Sequence, residues 1–379
     1  MMRLYFSGLT DKRQKMKTRH DFLELIILTI AAVIGGCNGW DEIEDFCRWH
    51  ADWFRNSLGL ELAGGIPSAD TIARIWRMID PNEFHSRFEK WAEATRKKIK
   101  GEVIGIDGKT SRGSGFGDCK AVHIVSAWLR DQEMVLGQIA VREKSNEITA
   151  VPELLKQLYI KGCIITADAM SCQKEIARVI KKKGADYVIG LKGNQGSLLE
   201  YAEEYFEDAL KHPELYAGEI DTITTHDEGH GRTEDRTYYL MHDFSGFPEA
   251  KDWPGLKAIG MVISTVTNHA KGETYVEKRY YISSTLNVED FSRAVRQHWG
   301  IEASLHHSLD VSFQEDASKI RKDASAENMA TIRHYALSAL KKLNVGKDRV
   351  SANRKRKMCS YSNELLYATI MNVLSPERL

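Results

Sequence analysis

Two aspartates stand at matching places in this chain. Asp107 closes the run Val-Ile-Gly-Ile-Asp, and Asp168 closes Cys-Ile-Ile-Thr-Ala-Asp. Each apolar run reads as a buried strand, so each acid falls at a strand's C-terminal end. A carboxylate at the edge of a buried sheet is costly to ionise alone, and two on neighbouring strands repel. A divalent cation between them removes both penalties, and hard oxygen donors suit Mg²⁺ or Mn²⁺. A third acid is expected from a helix packed on those strand ends. Glu302, within Arg-Gln-His-Trp-Gly-Ile-Glu-Ala-Ser-Leu-His-His, is the best placed. At helical spacing it shares a face with His298 and His306, and it is expected to be buried. Asp310, Glu315 and Asp316 are rivals just beyond it. Taken singly, Asp107 also fits a turn cap before Gly108, and Glu302 a surface pair with histidine. Together, three carboxylates can hold two metal ions roughly 3.5–4 Å apart, one activating an attacking oxygen and one stabilising the leaving one. That is the chemistry of phosphodiester cleavage, with no covalent protein nucleophile.

The elements that must position these acids are legible from periodicity. Residues 21–100 read as helices. Asp21 and Ser68 are expected N-caps, one helix is expected over 40–58, and Gly64-Gly65-Ile66-Pro67 is a breaker. In the helix after Ser68, Ile72, Ile75, Trp76 and Ile79 form an apolar stripe, with Arg74 and Arg77 off it. A helix-loop-helix with arginines outward can enter a DNA groove, while a plain packing domain explains it equally well. From Gly101 the order reads β-β-β-α-β-α-β, which is a mixed sheet covered by helices. Residues 197–286 then carry a helix and four strand-like runs, read as a β-rich insertion. A long helix over 288–311 bears Glu302, and further helices fill 326–342 and 363–373. Residues 344–361 are expected to be a solvated basic loop.

Bulk composition excludes little. Lys and Arg number 53 and Asp and Glu 53, so net charge is zero; hydrophobic residues are 42% of 379. The distribution says more. Residues 1–20 hold six basic side chains against Asp11, and 341–357 hold eight against Asp348. Basic ends around an acidic centre suit DNA-gripping arms about a metal site, although charged ends also serve solubility. The six cysteines form no CxxC pair, which disfavours a zinc knuckle. The apolar run 22–37 contains Glu24 and is short for a bilayer span. With no secretory signal visible, a cytoplasmic setting is expected.

Six motifs carry a resemblance. They are Gly105-Ile-Asp-Gly-Lys-Thr-Ser-Arg112, Glu143-Lys-Ser-Asn-Glu-Ile-Thr-Ala150, Thr166-Ala-Asp-Ala-Met-Ser-Cys-Gln173, Leu191-Lys-Gly-Asn-Gln195, His298-Trp-Gly-Ile-Glu302, and Leu309-Asp-Val-Ser-Phe-Gln-Glu-Asp316. Together they resemble the H-repeat-associated, ISAs-type insertion-sequence transposases, of the DDE cut-and-paste class, over nearly the whole chain. The resemblance implies a ribonuclease-H-like five-stranded mixed α/β core with flanking helices, a β-rich insertion before the glutamate helix, and an all-α N-terminal segment. It implies Asp107, Asp168 and Glu302 as catalytic metal ligands, with two Mg²⁺ or Mn²⁺ ions. Double-stranded DNA is then the substrate, and handling two ends suggests a homodimer. The chain is expected to divide into 1–100 for DNA binding, 101–196 for the first part of the core, 197–286 for the insertion, 287–343 for the glutamate helix and end of core, and 344–379 for a basic tail and helix.

Many relatives in the wider class place Arg four residues before the glutamate and Lys seven after it. Here those positions are His298 and Leu309. The phosphate-gripping role would then pass to Arg296, Lys192 or His298, and Lys109 and Arg112 are further phosphate candidates beside Asp107. Three other readings stay open. These are a ribonuclease-H-like nuclease without strand transfer, a transposase-derived DNA-binding protein without catalysis, and a zinc hydrolase using His298, Glu302 and His306.

Overall fold

The structure is a computed structural model describing residues 6–117, 120–141, 146–229, 231–347 and 350–374. Cys119, the 143–145 part of the second motif, Arg3, Asp348 and Arg349 lie outside the described residues.

Along the chain run α1 (Phe22–Ile34), α2 (Trp40–Trp49), α3 (Ala51–Leu58), α4 (Ala69–Met78), α5 (Pro81–Thr95), β1 (Val103–Thr110), β2 (His123–Leu129), β3 (Met134–Val141), α6 (Glu147–Gln157), β4 (Ile164–Ala167), α7 (Lys174–Lys182), β5 (Asp186–Leu191) and α8 (Gly196–Lys211). Then follow β6 (Ile220–Gly229), β7 (Arg232–Met241), β8 (Ala258–Asn268), β9 (Glu273–Ser283), α9 (Val288–Gly300), a π-helical turn (Ile301–His306), α10 (His307–Phe313), α11 (Ser325–Lys342), α12 (Ala352–Tyr361) and α13 (Asn363–Leu374). The expected β-β-β-α-β-α-β order is present. Both expected caps form. Asp21 accepts from the Leu23 and Glu24 amides at 2.9 Å, and Ser68 accepts from the Thr71 amide.

The chain divides into two compact units. The first comprises Met1–Lys98, Gly108–Asn146 and Glu302–Leu379; the second comprises Ile99–Asp107 and Glu147–Ile301. The first unit is mainly helical around the antiparallel β2–β3 hairpin. Trp76, Phe84, Phe88 and Trp91 from α4 and α5 pack with Tyr335 of α11, and the Trp91 indole donates to the Asn372 carbonyl at 3.0 Å. The N-terminal helices therefore share one core with the C-terminal ones. Glu24, buried on α1, is satisfied by the Glu61 and Leu62 amides. Among the described residues no helix is long and apolar enough to cross a membrane.

The second unit is a mixed sheet with helices. Its strands run β1-β4-β5-β9-β8-β7-β6; β1, β4 and β5 are parallel and the rest antiparallel. Phe291, Ala294 and Val295 of α9 bury against Val103, Ile164, Val188 and the insertion's Tyr238, Leu240, Ala258 and Val262.

Four expectations are corrected. The sheet is not five-stranded, because β9 pairs directly with β5 from Val188↔Ser283 to Leu191↔Tyr280, so the insertion's strands extend the core sheet. The helix expected over 40–58 breaks at His50, whose backbone leaves helical geometry. Residues 352–361 are helix α12 rather than loop. Arg356 there is buried, donating to the Val33, Cys37 and Ser312 carbonyls and lying 4.4 Å over the Phe313 ring. The glutamate helix is interrupted by the π-helical turn at Ile301–His306.

Candidate active site

The parallel pairing of β1 with β4 ends at Ile106↔Ala167. Asp107 and Asp168 are the next residue along each chain, so their backbones are neighbours at ordinary strand spacing. Asp168 directly follows the end of β4, whereas β1 runs on past Asp107 to Thr110, so the expectation that Asp107 ends its strand is corrected. Asp107 is half-buried and Asp168 exposed. Exposure removes the desolvation penalty that the sequence argument assigned to Asp168. Its Oδ1 accepts from the Met170 amide at 3.1 Å, capping the tight turn at Ala169–Ser171.

Three contacts hold that turn and strand. The Asn194 amide nitrogen donates to the Ala169 carbonyl at 2.8 Å, and the Gln195 amide nitrogen to the Cys172 carbonyl at 2.9 Å. Gly190 on β5 lies so close that an added methyl would stand 3.1 Å from the Ala169 nitrogen. The Leu-Lys-Gly-Asn-Gln motif therefore braces the Asp168 turn. The sequence reading gave its lysine a role and Gly193 a close backbone approach, and left the two amide side chains unassigned. The signal available was a pair of amide side chains directly after a strand end, where such groups tie loops together.

His298 also serves β4. Its Nδ1 is 3.1 Å from Thr166 Oγ1, two residues before Asp168. Burial pushes the imidazole down to about 4, with the Arg279 charge adding to the shift, so it is neutral at pH 7. By surface exposure the residue is half-buried, with this one ring nitrogen turned to Thr166.

Ile301 ends the second unit's part of the glutamate helix. It is fully buried, and a methyl on Gly105 would stand 3.7 Å from its Cβ. That places the helix end over β1, two residues before Asp107. Glu302 follows by one peptide bond. It is exposed rather than buried as expected, and it is the second residue of the π-helical turn.

The basic candidates differ in their surroundings. Arg74, Arg112 and Lys192 are exposed, and Arg77 is half-buried. Arg296 lies 3.3 Å from Asp227 on β6, a carboxylate it shares with Arg236. Lys109 is enclosed by Asp310, Glu315 and Asp316.

Among the described residues no group of three or more His, Cys, Asp or Glu side chains stands together in a metal-ligating arrangement. Two aspartates on neighbouring backbones offer the oxygen donors a hard cation takes. Mg²⁺ commonly takes one or two protein carboxylates and completes its shell with water and phosphate.

A family described as DDE_Tnp_1-associated matches residues 4–92, and one described as Transposase DDE domain matches residues 98–339. The chain belongs to the DDE transposase family. Within it, the chain is similar to "H repeat-associated putative transposase YhhI" of Escherichia coli K12, at 42% identity over 347 residues, 89% of each chain. It is also similar to "Putative transposase YncI" of Escherichia coli O157:H7, at 40% identity over 358 residues, 93% of this chain and 90% of that one. A solved piggyBac transposase synaptic complex with hairpin DNA matches with a TM-score of 0.42 and 12% identity, covering 96% of this chain and 74% of that chain.

Proposed function

We propose that this DDE transposase cuts and rejoins DNA at the ends of an insertion element, using Asp107, Asp168 and Glu302. The observation that carries the reading is the β1–β4 register, in which two carboxylates follow the last paired residues of adjacent parallel strands. The burial of Ile301 over Gly105, one residue before Glu302, supports the third assignment.

Asp107, Asp168 and Glu302 would hold the divalent ions, Mg²⁺ or Mn²⁺, two per site. Such ions, when bound, supply Lewis acidity and neutralise charge developing on a phosphodiester. The protein's own contribution is placement. Thr166 and His298 fix the strand below Asp168, Asn194 and Gln195 brace the turn above it, and Gly190 allows the close approach. The exposure of Asp168 and Glu302 leaves both carboxylates open to substrate. In the proposed reaction a water oxygen attacks phosphorus at the element end, the P–O3′ bond breaks, and a 3′-hydroxyl is freed. That hydroxyl then attacks a target phosphodiester, forming a new P–O3′ bond as the target's own P–O3′ bond breaks and its 3′-hydroxyl leaves. Arg74, Arg77, Arg112 and Lys192 are the proposed contacts to double-stranded DNA, and a homodimer would handle two ends.

The test is cleavage of element-end DNA with Mg²⁺ or Mn²⁺ by the wild type and by Asp107→Asn, Asp168→Asn and Glu302→Gln. Each variant should bind the end and fail to cut it. Full cleavage by any one removes that residue from the site. Precut ends then separate transposition from simple nuclease action, since only a transposase joins them to target DNA.

A further inference from the structure

Lys109 stands on β1, two residues past Asp107, where sequence reasoning offers it as a phosphate ligand. Its surroundings in the first unit are anionic. The ammonium lies 2.8 Å from Asp310 Oδ1, 3.1 Å from Asp316 Oδ1 and 3.2 Å from Glu315 Oε2, and the side chain is only 12% exposed. Glu315 is buried and its other oxygen is 3.6 Å from Arg333, itself buried. Neighbouring contacts tie the same two segments. The Arg112 amide donates to Asp316 at 3.2 Å, the Ser111 hydroxyl to the Glu315 carbonyl at 3.5 Å, and Arg321 Nε to the Gly113 carbonyl at 2.7 Å.

The ammonium donates to Asp316, and Asp310 and Glu315 also stand within ion-pair distance of it, so three carboxylates surround one positive charge. A DNA phosphate reaching Lys109 would have to displace a carboxylate and would face the other two as like charges. The enclosure does a different job. On one side is the tip of the strand that bears Asp107; on the other is the segment that begins eight residues after Glu302.

We infer that Lys109 is a positioning residue that pins the end of the Asp107 strand to the segment following the glutamate turn, and that it takes no part in gripping DNA. The catalytic consequence rests on the acid assignment proposed above; the clamp itself does not.

The experiment compares wild type, Lys109→Met, Lys109→Arg and the double variant Lys109→Met with Asp310→Asn. It reads end-DNA affinity across salt, single-turnover cleavage at saturating DNA, and thermal melting. Lys109→Met should cut about 100-fold more slowly at saturating DNA, the scale of a misplacement near 1 Å, with wild-type affinity and salt slope. Adding Asp310→Asn should recover part of the rate and of the melting temperature, because it removes one unbalanced carboxylate. Lys109→Arg keeps the charge and covers the case in which the methionine variant does not fold. It should bind DNA normally yet cut slowly, since a planar fork does not fit three converging carboxylates. Normal cutting at saturating DNA, with weaker binding and a salt slope smaller by about one, would overturn the inference and make Lys109 a phosphate ligand. A wild type that never cuts sinks the catalytic reading alone; the salt slope and the melting comparison still decide the clamp.

Discussion

Removing the Asn194 and Gln195 side chains should slow DNA cleavage without weakening DNA binding. In Asn194→Ala/Gln195→Ala the turn after Asp168 loses two hydrogen bonds, of 2.8 and 2.9 Å, to the Ala169 and Cys172 carbonyls. Each is worth about 1 kcal/mol net, so the pair is worth about 2 kcal/mol. If all of that is spent on holding the turn, the productive arrangement becomes up to about 30-fold rarer, at 1.36 kcal/mol per factor of ten. Melting should fall by about 4 °C, taking roughly 2 °C per kcal/mol for a chain of this size. The assay is single-turnover cleavage of a saturating, labelled element end, alongside affinity for that end. A rate drop of about 10- to 30-fold with unchanged affinity is expected. A normal rate with the melting temperature lowered as computed would refute the reasoning, because Asp168 would then hold its place without the brace.

Two further outcomes follow. His334, fully buried on α11, is pushed down to about 3 by burial, with the nearby His85, His306, Arg333 and Lys109 charges adding to the shift. It stays neutral in the fold while the unfolded chain takes up a proton below about 6.5, so its stabilising contribution is full above that pH and is lost as pH falls toward 3. At pH 5 the loss is roughly 2 kcal/mol, and His334→Leu should lack that share of the acid sensitivity in melting measured between pH 7 and 5; an unchanged slope would contradict the assignment. Exposed Arg74→Ala should weaken end binding, lower the salt slope by about one and leave the rate at saturating DNA intact, whereas an unchanged slope would remove Arg74 from the phosphate contacts.

The parts of this protein set by local chemistry were readable in the sequence. Period-two and apolar runs gave β1, β4 and β5, and short polar residues before apolar stripes gave the Asp21 and Ser68 caps. The end of β4 before Asp168 followed from the same local pattern, whereas β1 runs on past Asp107 to Thr110. What was not readable depends on residues far apart. The pairing of β9 with β5 joins segments about 90 residues apart, so the insertion looked separate. Arg356 reads as one more charge in a basic run until the Val33, Cys37 and Ser312 carbonyls surround it. The π turn needs one extra residue per turn, which a 3.6-residue period conceals, and Glu302 within it was expected on a buried face. Lys109 resembles a phosphate ligand until Asp310, Glu315 and Asp316, some 200 positions later, close around it. The same reasoning affects how DNA recognition is tested. The N-terminal helices share a core with Tyr335 and Asn372, so truncating them would strip the first unit's interior along with any DNA contact.

The central claim is that Asp107, Asp168 and Glu302 share divalent ions. Iron-directed backbone cleavage tests it most directly, with Fe²⁺ replacing Mg²⁺ on the DNA-bound protein and peroxide and ascorbate generating radicals at the ion. Protein cuts should cluster at three places, around residues 107, 168 and 302, all suppressed by excess Mg²⁺. Cuts around 107 and 168 with none near 302, or cuts elsewhere that Mg²⁺ does not suppress, would contradict it.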